Sequence, residues 1–443
     1  MHAAVVGAGP TGLFAAVALA RRGHRVTVVD RDAGPAADGS WDRRGVMQFL
    51  HPHAFRQQVV EALQAELPEV LDALFAAGAT RAVLPGPQPR ETGLHCRRTT
   101  FERVLRAAAA AEPGVALRTG HADDVLRERG RAIGLLIDGR WVETDLVLDA
   151  SGRGGRLADD LRAPGTGADC GIAYVSREYT LLPGAGWGPM NAPIGHVQMY
   201  EGYLGGVFVH DDRTFSVLVA RLATDRGLAA LRFHDVFEAA VRAVPVLAAW
   251  TAADRARPIG AVLPGGRLRN VYRGQLDDGG AVALPGLVRV GDAVCMTNPT
   301  AGRGVATSLL QVRHLMTLLD EHRSDVETVT LLFDRWCEAW IRPWFDDHMH
   351  ADPQVVRRWA GQDVDPSRRL PSDLIVAAAE ADPSMMRVVG PYLMMGALPE
   401  TLAQVEPRAR EIYAGGWRPA RPDAPTRDEL VEAIAPMAAA GRR

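Results

Sequence analysis

Along the chain, hydrophobic and polar positions first give a short apolar strand, Ala3-Ala4-Val5-Val6, that runs into Gly7-Ala8-Gly9-Pro10-Thr11-Gly12. An alanine-rich helix follows over 14–22. A second apolar strand, Val26-Thr27-Val28-Val29, then ends in Asp30-Arg31. Strand, glycine turn, helix and strand in that order make a βαβ unit. Its glycines permit a tight turn and close approach of the backbone to a pyrophosphate, whose charge the positive end of the helix favours. At the end of the second strand, the Asp30 carboxylate is placed to accept hydrogen bonds from a ribose. The unit specifies an ADP moiety and leaves FAD and NAD(P) both open.

Further along, a loop rich in Gly, Asp and Arg covers 32–53. Helical periodicity over 57–77 sends Val60, Leu63, Leu67, Val70, Leu71 and Leu74 to one side. Thr99 or Thr100 can cap a second helix that runs to Ala111. Short strands are expected near 115–118, 124–127, 132–137 and 141–148. From Cys170 the pattern changes to strand-like segments with aromatic residues and turns, over 172–179, 196–200, 206–210 and 214–219, which predict an antiparallel sheet in a different domain. Residues 221–252 look helical, 282–290 read as paired strands, and 300–320 and 326–344 as helices. The expected fold class is α/β. A Rossmann-type dinucleotide-binding domain would comprise 1–168 and 281–330, an antiparallel β-sheet substrate domain with helices 169–280, and a helical C-terminal region 331–443.

Composition narrows the partners. The chain has 443 residues, is 47% hydrophobic and carries a formal charge of −3, with arginines scattered among acids. It offers no basic patch for nucleic acid and no polybasic membrane anchor. The uncharged stretch 388–399 is broken by Gly and Pro and is too short to span a bilayer. No signal peptide is expected ahead of the first strand. Cys96, Cys170, Cys295 and Cys337 lack CxxC spacing, which suits reduced thiols in a cytoplasm. All fifty basic residues are arginine. That excludes mechanisms that need a lysine amine: Schiff-base and PLP chemistry, P-loop phosphate transfer and lysine-relayed halogenation.

A second informative stretch chooses between cofactors. Leu287-Val288-Arg289-Val290 leads into Gly291-Asp292-Ala293, and Asn298-Pro299-Thr300-Ala301-Gly302-Arg303-Gly304 follows. A strand ending in Gly-Asp puts a carboxylate where it can bind a polyol hydroxyl. The Pro-x-x-Gly-x-Gly turn opens a helix whose first amides can face an electron-rich ring edge. In this order behind the glycine unit, the pair resembles the FAD-binding architecture of p-hydroxybenzoate hydroxylase-like flavoprotein monooxygenases. Arg98-x-x-Phe101-x-x-x-Leu105 looks like the arginine-led helix that family places beside the flavin, and Arg44-Gly45 sits where it brings an arginine to the ring. Leu148-Asp149-Ala150-Ser151-Gly152 resembles the middle motif of the wider group, which also holds geranylgeranyl-reductase-like and halogenase-like flavoproteins. The resemblance covers residues 1–345. Gln48-Phe49-Leu50-His51-Pro52-His53 resembles a loop in a bacterial, epoxidase-containing branch.

This resemblance implies FAD, with Gly7, Gly9, Pro10, Thr11, Gly12, Asp30 and Arg31 on its ADP half. It puts Asp149, Gly291 and Asp292 near the pyrophosphate and ribitol, and Arg44, Gln48, Arg98, Pro299, Gly302, Arg303 and Gly304 near the ring system. The implied activity is insertion of one oxygen atom from molecular oxygen, through a flavin C4a-hydroperoxide, into an aromatic or alkene substrate of secondary metabolism. Ala150 replaces the Gly of the family's Asp-Gly motif, so NAD(P)H would act directly or through a separate flavin reductase. The alternative is an oxygen-independent reductase or dehydrogenase of the geranylgeranyl-reductase type. No metal is expected: the His51-x-His53 pair lacks a third ligand, and Asp346-Asp347-His348-x-His350 reads as a solvated loop. His51 or His53 is the candidate proton donor or substrate orienter. Trp187, Tyr200, Tyr203, Phe208 and Phe215 are candidates for a pocket wall, most of them expected to be ordinary core.

Overall fold

A computed structural model describes residues 1–43, 45–85, 89–322 and 325–440. Its centre is the opening βαβ unit. Strand His2–Val6 lies between Arg25–Asp30 and Leu146–Asp149, and the sheet extends to Val115–Thr119 on one side and Leu287–Arg289 on the other. Every pairing in it is parallel. Parallel strands are covered on both faces, which is why these segments are runs of Ala, Val and Leu with little polar alternation. Ala3, Val5, Val26 and Val28 pack against helices Pro10–Arg21, Arg98–Ala111 and Gly304–Glu321. Their neighbours Ala4, Val6 and Val29 pack on the opposite side against Val125, Leu135 and Ile137 of a three-stranded antiparallel sheet.

A separate six-stranded antiparallel sheet runs in the order Gly195–Tyr200, Tyr203–Val209, Thr214–Leu222, Ile172–Leu181, Ala256–Pro258, with Leu263–Gly265 also paired to Ile172–Leu181. Both of its faces are apolar. Val175, Tyr179, Tyr203, Val207, Phe215, Val217 and Val219 form one core with helices His234–Ala243, Pro245–Thr251 and the last helix, Arg427–Ala440. Alternate positions, Ile172, Tyr174, Phe208, Leu218 and Ala220, form a second cluster with Leu268 on the other face. The remaining C-terminal helices pack around Trp344, Leu374, Tyr392 and Tyr413.

Several expected elements divide. The helix expected over 57–77 is two, Gln57–Glu66 and Pro68–Ala76, because Pro68 lacks the amide needed to continue and sits at the first position of the second. The segment 221–252 likewise splits at Pro245. The strand expected over 141–148 is also two, Arg140–Glu143 and Leu146–Asp149, in different sheets. Over 282–290 only Leu287–Arg289 is a strand, while Val282 makes an isolated bridge to Leu276. Thr99 and Thr100 do not cap the helix starting at Arg98; the Thr100 hydroxyl donates instead to Asp211 at 2.6 Å. Residues 346–350 are not a solvated loop, for they lie inside helix Arg342–Trp359 with His348 buried.

Candidate functional site

One large cavity, about 900 Å³, joins the C-terminal edge of the parallel sheet to the second face of the antiparallel sheet. The glycine turn forms its floor. Gly7 has φ +103°, and a Cβ there would lie 2.5 Å from the Ala150 carbonyl oxygen; one on Gly12 would lie 1.9 Å from the Gly7 carbonyl oxygen. These two glycines are therefore demanded by the turn itself. Gly9 differs, since a Cβ there would meet nothing within 4 Å. It borders open cavity together with Pro10 and Thr11 at the start of the helix, the geometry that receives a diphosphate.

An ionic network braces this floor. Asp30 accepts from the Ala8 amide at 2.6 Å, the Asp32 amide at 2.8 Å and Arg43 Nη2 at 2.9 Å, so most of its acceptor capacity serves the turn and what remains faces the cavity. Arg43, buried, also donates to Asp32 at 2.8 Å and to Glu102, a carboxylate with no exposed surface. Glu102 in turn holds Arg98 Nε. Arg98 Nη1 lies 3.2 Å from His53 Nε2, and His53 Nδ1 lies 2.9 Å from the His51 carbonyl oxygen. A guanidinium only donates, so Nε2 of His53 accepts and its Nδ1 carries the hydrogen. Both ring nitrogens of His53 are thereby engaged, and burial beside Arg98 holds its pKa well below the usual range. His53 acts as a brace for Arg98.

At the next part of the cavity, the Asp292 carboxylate has no hydrogen-bond partner among the described residues and lines the open space; burial pushes its pKa up while Arg98 and Arg153 pull it down. An acceptor left free in this way suits the hydroxyls of a polyol. Behind it, Gly291 has φ +67° and its amide donates to Gln311 Oε1 at 2.8 Å. The Pro299 turn is pinned from both sides. Asn298 caps it by accepting from the Thr300 amide, Gly302 sits at φ +62°, and Arg56 donates to the carbonyls of Ala301 at 2.6 Å and Gly302 at 3.0 Å. With its carbonyls turned to Arg56, the turn presents Pro299, Thr300, Gly302 and Gly304 to the cavity.

Of the residues expected from sequence, Gly7, Gly9, Pro10, Thr11, Asp30, Arg31, Gln48, His51, His53, Arg98, Asp292, Pro299, Gly302 and Gly304 line this cavity. Gly12 and Gly291 shape it from beneath. Asp149 and Arg303 are not among its lining residues. Asp149 is buried and accepts from the amide and hydroxyl of Ser151, fixing the turn after its strand. Arg303 turns away to Asp347 at 3.2 Å and the Tyr392 hydroxyl at 2.7 Å, stacked against Trp344, and joins its helix to the C-terminal helices. Arg44 lies outside the described residues. Three residues that the sequence reading missed, Arg43, Glu102 and Arg56, carry the bracing. Nothing local distinguishes them from solvated charges in a chain with so many arginines.

The far wall of the cavity is apolar, formed by Tyr174, Val197, Leu204, Phe208, Leu218 and Leu268. Phe208 is the one aromatic candidate that reaches it. Tyr203 and Phe215 face the helix-covered side with Tyr200, and Trp187 is partly exposed beside Trp250. His51 stands between wall and floor, with Nδ1 2.7 Å from Ser176 Oγ and its ring edge-on to Tyr174. Burial lowers its pKa to about 4, so it is neutral at neutral pH. No group of three or more His, Cys, Asp or Glu among the described residues is placed to hold a metal.

Comparison with known proteins agrees with this geometry. A family profile described as FAD dependent oxidoreductase matches residues 2–84, the stretch that carries the glycine turn and Asp30, and one described as Tryptophan halogenase matches 48–166. The chain is an FAD-dependent oxidoreductase. Across its length this flavoprotein is 27% identical to Protein Rv3254 of Mycobacterium tuberculosis over 435 residues, covering 86% of the chain and 87% of that relative. Its fold is shared with the flavin-dependent brominase Bmp2, at 13% identity and TM-score 0.67 over 94% of this chain and all of that one. It is shared also with PqsL, a probable FAD-dependent monooxygenase from Pseudomonas aeruginosa, at 16% identity and TM-score 0.56 over 82% of this chain and 99% of that one. At such identities the two structures establish the fold alone. Among the described residues, no helix of the flavoprotein is long and apolar enough to cross a membrane.

Proposed function

We propose that this flavoprotein is a monooxygenase that places one oxygen atom, by hydroxylation or epoxidation, into a small and largely apolar organic molecule. The observation that carries the reading is the continuity of one cavity, in which a polar cradle for FAD opens directly onto an apolar sheet face. The cradle would hold the cofactor through the turn at Gly7, Gly9, Pro10 and Thr11, the remaining acceptor capacity of Asp30, the free Asp292 carboxylate and the Pro299–Gly304 turn. Arg98, fixed by Glu102 and His53, adds positive charge at the same site. When bound, FAD supplies the redox chemistry that activates molecular oxygen. The protein's part is orientation and exclusion of water: Tyr174, Leu204, Phe208 and Leu218 present no charge to a substrate and keep that half of the cavity dry. His51, neutral and held by Ser176, is the group available to orient a substrate hydroxyl or carbonyl.

NADH or NADPH is the proposed electron source, reacting directly or through a separate reductase. The visible spectrum of purified protein, titrated with each nucleotide without oxygen, separates the two cases: bleaching at a catalytic rate shows direct reduction. Oxygen consumption coupled to product tests the reaction itself. Equal turnover under strict anaerobiosis would instead support the reductase reading, which the Asp149-Ala150-Ser151-Gly152 string leaves open. Halide in the same assay addresses the halogenase-like neighbours, and a halogenated product would overturn the oxygenation reading.

A further inference from the structure

The apolar wall is built from alternate positions of four strands, and beside Tyr174 the next of those positions is polar. Ser176 follows Tyr174 on the same face of Ile172–Leu181, is fully buried, and holds His51 Nδ1 at 2.7 Å. The Tyr174 ring, 4.9 Å away and nearly perpendicular, fixes the imidazole from a second direction. His51 Nε2 finds no partner among the described residues, and the residue lines the cavity. Gln48 also lines the cavity and acts on the Tyr174 hydroxyl. Asp292 and Arg98 belong to the cradle; Arg153 and Arg269 line the cavity and are exposed, and Arg98 and Arg153 both act on the Tyr174 hydroxyl. Desolvation keeps His51 itself uncharged.

We infer that the His51–Ser176 pair is the polar anchor of this wall, and that the wall takes an uncharged, flat or extended apolar molecule offering one hydroxyl or carbonyl to His51 Nε2. The inference rests on the monooxygenase reading for the identity of this wall as the substrate side. A neutral hydrogen-bonding group is matched by Nε2, whereas a carboxylate driven against the same wall would be desolvated and would find no positive charge on the neutral imidazole. Ser176 is a positioning residue in this arrangement, because it touches only the imidazole.

Three probes on one skeleton test it: naphthalene, 2-naphthol and 2-naphthoate, each bound to the FAD-loaded protein by equilibrium dialysis without electron donor. The expected order has 2-naphthol at least tenfold tighter than either of the others. His51→Phe should bring 2-naphthol to the naphthalene affinity. Ser176→Ala, the milder change, should weaken 2-naphthol several-fold and leave naphthalene unchanged, with FAD content and circular dichroism confirming that each variant folds. Equal binding of 2-naphthol and naphthalene, tighter binding of 2-naphthoate, binding of none of the three up to their solubility, or a 2-naphthol preference untouched in both variants would overturn the inference. Binding is read without turnover. Failure of oxygen-coupled turnover with the binding order intact would therefore sink the monooxygenase reading and leave the anchor standing.

Discussion

The two ends of the cavity are made of different material. At the cradle end much of the working surface is backbone, exposed where Gly7, Gly9 and Gly302 carry no side chain and stiffened by the ion pairs of Arg43 with Asp32 and Glu102. At the wall end the working surface is side chain, set out by the period of two along four strands. A backbone surface has no spare volume, so a single methyl group matters. A side-chain surface accommodates exchange of one apolar group for another with a graded loss. Damage at the cradle should appear in cofactor retention, and damage at the wall in what happens to a substrate.

The glycines give the largest expected effects. Gly12→Ala drives a Cβ to 1.9 Å from a carbonyl oxygen and should cost more than about 2 kcal/mol of stability with loss of bound FAD, read from the thermal midpoint and flavin content. Gly9→Ala should leave the apoprotein midpoint unchanged while weakening FAD at least tenfold. An unchanged FAD affinity there would mean that the open space beside Gly9 is not the cradle. Glu102→Gln comes next. Loss of the charge shared by Arg43 and Arg98 should destabilise the fold by about 3 kcal/mol, on the scale of a broken buried pair, and weaken FAD about tenfold in the same titration.

Acid should act on two buried histidines, His51 between floor and wall and His210, which meets Ser216 Oγ at 3.0 Å. Burial lowers His51 to about 4 and His210 to about 3, below the ordinary value of 6.5. Between that value and the lowered ones the unfolded chain binds protons that the folded chain refuses, so stability is full above about pH 6.5 and falls as pH drops. About 2 kcal/mol per histidine should be lost between pH 6.5 and 5. Denaturant unfolding at the two pH values measures it, and His210→Asn should remove its share. The smallest effect is expected at the wall itself. Leu218→Ala should keep FAD affinity within about twofold and raise hydrogen peroxide released per nucleotide oxidised several-fold; loss of FAD with this variant would erase the distinction between the two ends.

Legibility followed the same division. The turn at Gly7 to Gly12 and the strand-to-Asp292 junction could be read because their chemistry is local: glycine at a positive φ or a sterically closed position, proline at a helix start, and an acid at a strand end each carry meaning within a few residues. Asp30 ends the second strand and lines the cavity, although much of its carboxylate serves Ala8 and Arg43. Arg303 was read as part of the same turn and points the other way, into Asp347 and Tyr392, because sequence places its backbone and says nothing of where a long side chain finds its counterion.

Sequence by itself determined the parallel βαβ core, the antiparallel nature of the segments after Cys170 and the positions of the glycine and Gly-Asp turns, since each rests on hydrophobic period or backbone permission over a short span; the choice of FAD came from the family resemblance. Tertiary structure alone decided which face of the antiparallel sheet is the cavity wall. Both faces are apolar, so alternation separates Tyr174, Phe208 and Leu218 from Val175, Tyr203 and Phe215 without saying which set the helices cover. It also decided that Arg43, Glu102 and Arg98 form one brace and that His51 finds Ser176. Apart from the pair Arg98–Glu102, one turn apart on a single helix, these contacts join segments remote in sequence, and their partners are selected by packing rather than by any pattern either segment carries alone.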